Sequence, residues 1–191
     1  VLPGVGYPDP NLSHFHSTDI WHTADMRGRL CEFGKGPYGW VGKTCDAAFA
    51  GNLDPKLAIA VGTGSTPIAI QGKDHPGLAF DTPESFGYRG DRGDATRRDT
   101  YRALNEAAGE KPETLTELHY VAKVAIAANA SSEEVARKAA EYKPSLEYPG
   151  TTLGRNLRTI AGLIAGGLST RIYFTFHDGG FDTHVKQRPH H

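Results

Sequence analysis

The sequence is poor in cysteine, and this excludes two classes of protein. Only two of the 191 residues are cysteine, Cys31 and Cys45, which is too few for a disulfide framework. No Cys-x-x-Cys pair occurs, so neither a zinc ribbon nor a thioredoxin-like redox site has support. The two thiols either pair with each other, in an exported protein, or remain separate as free or buried groups.

Long apolar runs and an excess of one charge are missing as well. A run of roughly 18 apolar residues, which a membrane-spanning helix needs, does not occur. The 21 basic residues are balanced by 22 acidic ones, for a net charge of -1, so no basic field indicates a nucleic-acid partner. With 38% hydrophobic and 23% charged residues, the composition is typical of a soluble globular protein.

The two ends of the sequence look like positions inside a longer protein. The sequence opens on Val1 without an initiator methionine and stops at His191, soon after its most polar glycine-rich segment. We therefore expect residues 1–191 to be a single partial domain of a longer protein. Within it, residues 71–145 are expected to be a helical and loop insertion.

The first half of the chain predicts short elements separated by turns. They are a helix ending near residue 25, a short helix at 41–49, and two strands at 57–61 and 67–70. Asn11 or Ser13 is predicted to cap the first helix. The segment 62–66 is predicted to be a hairpin turn between the strands. Its Gly-Thr-Gly-Ser resembles a phosphate loop but lacks the Gly-Lys-Ser/Thr ending.

The second half predicts longer helices and one more strand. The elements are a loop at 71–93, a helical region at 94–142 with breaks at Gly109, at Pro112 and before 131–134, a helix from Thr151 or Thr152, and a strand at 171–176. The last helix is predicted to bury an apolar face of Leu153, Leu157, Ile160, Ala161 and Ile164. A helix, an apolar strand and a polar glycine turn in succession predict an α/β fold, in which sites form at the carboxyl ends of strands.

The loop after the last strand carries the strongest chemical pattern. Asp182 and His184 are two residues apart, so in extended backbone their side chains share one side. A carboxylate and an imidazole that converge suit a divalent metal such as zinc or manganese, with His177 and Asp178 as outer partners. The alternative is that Asp182 caps a turn and His184 is an exposed histidine.

Ser13 is the second candidate. At a helix start it meets free backbone N–H groups and the positive end of the helix dipole, which suits a phosphate or sulfate and activates a hydroxyl nucleophile beside a metal. The alternative is a plain N-cap. His14, His16 and His22 do not share one helix face and are predicted to be surface or packing histidines.

Four segments, in order, resemble the family called domain of unknown function 1501. Residues 4–25 contain GVGYPDPNLSHF and DIWHTAD, residues 39–43 are GWVGK, residues 152–164 resemble the helix before the family's strand, and residues 179–184 are GGFDTH. This family is related to the alkaline phosphatases and sulfatases. The resemblance implies a mostly parallel sheet flanked by helices and a site with one or two divalent metals.

The resemblance also implies roles for particular residues. Ser13 stands where the superfamily's nucleophile lies, with His14 beside it to orient the substrate, and Asp182 and His184 match the first metal-ligand segment. The implied activity is hydrolysis of small anionic phosphate or sulfate esters by an exported, periplasmic protein. A non-catalytic exported binding or surface protein that keeps the fold is the alternative.

This chain departs from the family's pattern in several places. Leu12 stands where many members have arginine, a change that weakens the binding of an anion. The upstream Gly-Gly-Asn-Asp and downstream Asp-His-Gly segments are absent. The resemblance therefore implies that further metal ligands lie outside residues 1–191, and we expect these residues alone to be inactive.

Overall fold

The computed structural model describes residues 6, 13–27, 38–51, 54–86, 90, 93–109 and 116–177. Within these ranges the chain forms five α-helices and three β-strands. The helices are α1 (His14–Thr23), α2 (Trp40–Ala48), α3 (Ala95–Gly109), α4 (Thr116–Glu141) and α5 (Thr152–Ala165). The strands are β1 (Ala58–Val61), β2 (Leu78–Phe80) and β3 (Ile172–Phe174), and two short 3₁₀ helices cover Ile68–Ile70 and Pro83–Ser85.

The three strands form one parallel sheet in the order β2-β1-β3. Ile59 at the centre of β1 is in register with Leu78 on one side and with Tyr173 on the other. All four residues of β1 are buried, as expected for a parallel strand covered on both faces. The predicted α/β class is confirmed at this level.

Alternate residues of β1 face two different helical layers. Ile59 and Val61 pack in one apolar cluster with Val135 of α4 and Leu163 of α5. Ala58 and Ala60 pack in a second cluster with Ile70 of the 3₁₀ helix that follows β1, and Val41 of α2 packs against it. The sheet is therefore the middle layer of a helix–sheet–helix sandwich.

The connections after β1 and after β2 run over opposite faces of the sheet. The chain from β1 to β2 passes through Ile70, on the α2 face. The chain from β2 to β3 passes through α4 and α5, which cover the other face. Adjacent strands whose connections diverge leave a crevice at their carboxyl ends, and ligands bind there in open α/β sheets.

The predicted hairpin at 57–70 is wrong. The strand at its start is present as β1, but the second strand is the 3₁₀ helix Ile68–Ile70, where Ile70 N–H bonds to the Pro67 carbonyl at 3.1 Å. Within the described sheet, β1 pairs only in parallel. Residues 62–77 must therefore return from the carboxyl end of β1 to the amino end of β2. All three residues of the 3₁₀ helix are buried. Their sequence is a short apolar run, which is also the pattern of a buried strand.

The predicted loop at 71–93 and the predicted break before residue 131 are also wrong. The loop region contains β2, whose three residues are too few to show a period. Helix α4 runs without interruption through Ser131 and Ser132, which are buried. The Ser132 hydroxyl donates to the Asn129 carbonyl at 2.8 Å, so this serine bonds within the helix instead of starting one. The predicted break at Gly109 agrees with the end of α3.

The predicted caps of α1 and α5 are confirmed. Ser13 accepts a bond from the backbone N–H of His16 at 3.3 Å, and Thr151 accepts one from Gly154 at 3.0 Å. Helix α1 ends at Thr23, slightly before the predicted end, because Ala24 adopts a left-handed conformation with φ of 52°.

The predicted buried face of α5 is partly wrong. Leu157 and Ile164 are 43% and 60% exposed, whereas Asn156 and Leu163 are buried. Helix α4 approaches α5 at Gly162, where an added Cβ would lie 3.0 Å from the Tyr142 Cβ. The small residue allows close packing, so the side of α5 that carries Gly162 turns inward.

Two further expectations concern cysteine and the membrane. Cys45 is a buried free thiol, and burial raises its pKa; Cys31 lies outside the described residues. Among the helices that the structure describes, none is long and apolar enough to cross a membrane.

Candidate functional site

The carboxyl ends of β1 and β3 are joined by a buried chain of polar groups. The Thr175 hydroxyl donates to the Val61 carbonyl at 2.9 Å, and the Asn156 side-chain amide donates to the same hydroxyl at 3.0 Å. Asn156 is buried in the second turn of α5. Because a buried polar group is costly unless bonded, this chain fixes α5 against the point where both strands end.

The close approach of Asn156 to the end of β1 requires a glycine at position 62, directly after the strand. The φ of Gly62 is +82°, and a Cβ built there would lie 2.0 Å from the Asn156 Nδ2 atom. The N–H groups of Gly62 and Thr63 both bond to the Phe80 carbonyl at the end of β2, at 2.9 and 3.3 Å. These two donors are engaged with the end of β2, so neither of them is available to a phosphate group.

Aromatic rings surround the end of β3. Phe174 meets Phe176 edge to face with ring centroids 4.9 Å apart, and His22 of α1 meets Phe174 at 6.1 Å. His177 is exposed at the point where β3 leaves the sheet. The predicted site residues Asp178, Asp182 and His184 follow directly and lie outside the described residues.

Ser13 and His14 lie at the outer end of α1. The helix is anchored at its other end, where Ile20 and Thr23 are buried and the Lys43 ammonium donates to the Thr23 carbonyl at 3.2 Å. Nine residues separate Ser13 from His22, or about 14 Å along the helix axis. The structure thus joins α1 to β3 through His22, and places Ser13 further along the same helix.

In the parts of the chain that the structure covers, no group of three or more His, Cys, Asp or Glu side chains is arranged to hold a metal ion. The predicted ligands Asp182 and His184 fall outside those parts and remain a prediction.

A cleft of about 500 Å³ opens at the edge of the sheet that is formed by the carboxyl ends of the strands (the carboxyl edge). It lies between the segment after β2 and helices α4 and α5. Arg155, Asn156 and Arg158 of α5 form one wall, and Asp81 and Glu84 form the wall that follows β2. Its volume lies within the range of about 300–1,000 Å³ that small-molecule sites occupy. Since Asn156 also bonds to Thr175, the cleft adjoins the end of β3.

Sequence reasoning did not identify this cleft. The sequence predicts a helix that contains Arg155 and Asn156 and a loop that contains Asp81, and no local pattern brings the two segments together. The available signal was the pattern of a short apolar run, Leu78–Phe80, followed by Asp81, which is typical of a buried strand that ends at a polar loop.

Comparison with known protein families, with curated proteins and with solved structures finds no match to this chain.

Proposed function

We propose that this protein is a metal-dependent hydrolase of phosphate or sulfate esters, with its site at the carboxyl edge of the parallel sheet. The observation that carries the proposal is the position of β3, which is parallel to β1 and pairs with it. In the sequence, Asp182 and His184 follow the carboxyl end of β3, and this is the edge at which α/β sheets bind ligands.

The donor set fits a divalent metal. Asp182 supplies a carboxylate oxygen and His184 an imidazole nitrogen, a combination that suits zinc or manganese. When bound, such a metal polarises the ester oxygen and lowers the pKa of a nearby hydroxyl or water. On the strength of the family resemblance, further ligands come from outside residues 1–191 and the complete fold is alkaline-phosphatase-like.

Ser13 is the proposed nucleophile and His14 the proposed orienting residue. The Ser13 oxygen accepts the N–H of His16, and this bond favours negative charge on the oxygen at the positive end of the helix. The Ser13 hydroxyl proton is not used in that bond. The observed N-cap therefore agrees with a reactive serine as well as with a structural one.

The same resemblance extends the proposal to the protein's location and substrate. We expect an exported, periplasmic protein that acts on small anionic esters. Helices that the structure describes give no membrane span, and the balanced charge of the chain gives no reason to expect a nucleic-acid partner.

The test is an ester-hydrolysis assay on the parent-length protein supplied with zinc or manganese. A phosphate monoester and a sulfate monoester are offered to the unchanged protein, to Ser13→Ala and to Ser17→Ala, a serine on the same helix. Turnover that Ser13→Ala lowers by about a hundredfold or more, and that Ser17→Ala retains, supports the proposal. Turnover that is equal in both variants contradicts the role of Ser13.

A non-catalytic exported binding protein with the same fold is the second candidate. The cleft beside Asn156 favours it, because its charged walls provide a binding site that needs no metal. Ligand binding without turnover of either ester, in metal-loaded protein, would decide for this alternative.

A further inference from the structure

The cleft at the carboxyl edge has walls of opposite charge. Arg155 and Arg158 lie one turn apart on α5, and Asp81 and Glu84 lie on the segment that follows β2. An ion pair requires a nitrogen–oxygen distance of about 4 Å or less, and the described side chains of the two walls form none. A cleft that keeps them apart offers both charges to a ligand.

Within the part of the chain that the structure describes, the four charged side chains of this cleft have no oppositely charged partner. Among the described residues, Asp81, Glu84 and Arg158 take part in no ion pair. The Arg155 guanidinium donates to two neutral oxygens, the Gly150 carbonyl at 2.8 Å and the Thr152 hydroxyl at 3.1 Å. Those bonds hold the guanidinium in place and leave its charge without a carboxylate partner, while its other N–H groups are not engaged in them.

The remaining lining is partly apolar and partly hydroxyl-bearing. Three small apolar side chains fit a few methylene groups of a ligand, and four hydroxyl groups offer hydrogen bonds. These residues are Ala139, Ala140 and Pro83, and Thr82, Tyr142, Thr152 and Thr159. Asn156 lines the cleft as well, and its bond to Thr175 fixes its position.

The geometry points to a binding site for a small zwitterion in this cleft. Arg155 and Arg158 bind the anionic group, a phosphate or a carboxylate, and Asp81 and Glu84 bind a protonated amine. Charge-assisted hydrogen bonds at both ends give such a ligand an advantage over molecules that carry either charge alone. The site needs no metal and does not depend on the proposed hydrolysis.

The test is calorimetric titration of the parent-length protein at low salt, with EDTA present. Phosphoethanolamine and β-alanine carry both charges, whereas ethyl phosphate carries only the anion and ethylamine only the cation. We expect at least one zwitterion to bind about tenfold more tightly than either singly charged compound. Comparison of the two zwitterions shows whether the anionic group is a phosphate or a carboxylate.

Variants assign the binding to the cleft. Arg158→Gln and Asp81→Asn are each expected to weaken binding of the zwitterion by about five- to tenfold. Arg137→Gln is the matched control, because Arg137 is an exposed helical arginine that pairs with Glu141 outside the cleft. This variant should bind as the unchanged protein does, and circular dichroism checks that all variants fold.

Three outcomes would overturn the inference. Equal binding of ethyl phosphate and phosphoethanolamine would show an anion site without a cation partner. Binding that EDTA abolishes would belong to a metal centre and not to this cleft. No binding of either zwitterion at tens of millimolar, an affinity of roughly -2 kcal/mol or weaker, would leave the cleft without the proposed ligand.

Discussion

The edge of the sheet at which the strands begin (the amino edge) and the edge at which they end (the carboxyl edge) differ in how their charged side chains are bonded. At the amino edge, Asp46 accepts the N–H groups of Lys73, Asp74 and His75 and the His75 ring, all at 2.7–3.1 Å. Ser169 there donates to Asp54 at 2.7 Å. At the carboxyl edge, Asp81, Glu84 and Arg158 have no ion pair within the described chain, and the Arg155 guanidinium donates to neutral oxygens. The difference indicates that the charged groups of the amino edge stabilise the fold and that those of the carboxyl edge are available to a ligand.

The amino edge also has an electrostatic consequence. Burial acts to raise the pKa of Asp46, but the hydrogen bonds from the His75 ring and from three backbone N–H groups outweigh it, so the pKa of Asp46 is lowered. A carboxyl whose pKa is lower in the folded state stabilises that state above its unfolded pKa. This contribution is lost as the pH falls through the folded pKa.

Asp46→Ala is the change with the largest expected effect. It leaves three backbone N–H groups and the buried His75 ring without their acceptor, so we expect the free energy of unfolding to fall by about 3 kcal/mol. Urea denaturation at neutral pH measures it. Asp74→Ala, at an exposed neighbouring carboxylate, is the control and should change stability by about 0.5 kcal/mol or less.

The pH dependence sharpens the same prediction. The stability difference between the unchanged protein and Asp46→Asn should be fully present above about pH 5 and should shrink as the pH falls below the usual range of aspartate. A difference that stays constant down to the acid limit of folding would mean that the charge of Asp46 contributes nothing.

Gly62→Ala tests whether the carboxyl edge is held as rigidly as the contacts indicate. The added Cβ requires a strained positive φ and displaces the Asn156 amide, so we expect a loss of about 2 kcal/mol. Gly64→Ala is the matched control, because nothing lies within 4 Å of the Cβ position there. Equal effects of the two changes would contradict the close approach at Gly62.

Thr175→Val removes the hydroxyl that links Val61 and Asn156 while it keeps the shape of the side chain. Two buried partners lose their bonds, and we expect a loss of about 1–2 kcal/mol in unfolding free energy. Thr63→Val removes an exposed hydroxyl bonded to Ser65 and should cost about 0.5 kcal/mol or less. If Asn156→Ala is added, the two losses should not sum, since both changes break one network.

Arg158→Gln has the smallest expected effect on stability. This arginine has no ion pair among the described residues, so thermal or urea unfolding should change by no more than about 0.5 kcal/mol. A loss of stability as large as that of Asp46→Ala would mean that charged side chains at both edges stabilise the fold.

The sequence predicts those elements that depend on a few neighbouring residues. The apolar run before Gly62 predicts β1, and the hydroxyl groups of Ser13 and Thr151 predict the caps of α1 and α5. The pairing of β1 depends on residues as distant as Tyr173, which no local pattern contains. A hairpin was therefore predicted where the chain crosses over the sheet.

The candidate site divides in the same way. Asp182 and His184 stand close together in the sequence, so their pattern was recognisable before the fold was known. Asp81 and Arg155 come together only because β2 ends and α5 begins at the same edge of the sheet. The cleft is a product of topology, and it could not be predicted without the parallel order of the strands.

The most direct test of the account is the metal content of the parent-length protein beside an Asp182→Ala/His184→Ala double variant. The account predicts a stoichiometric divalent ion, zinc or manganese, in the unchanged protein and its loss in the double variant. Asp74→Ala, which changes an exposed carboxylate at the amino edge, is the control and should keep the metal. Absence of bound metal in the unchanged protein at micromolar concentrations would contradict the hydrolase and leave a fold that serves binding.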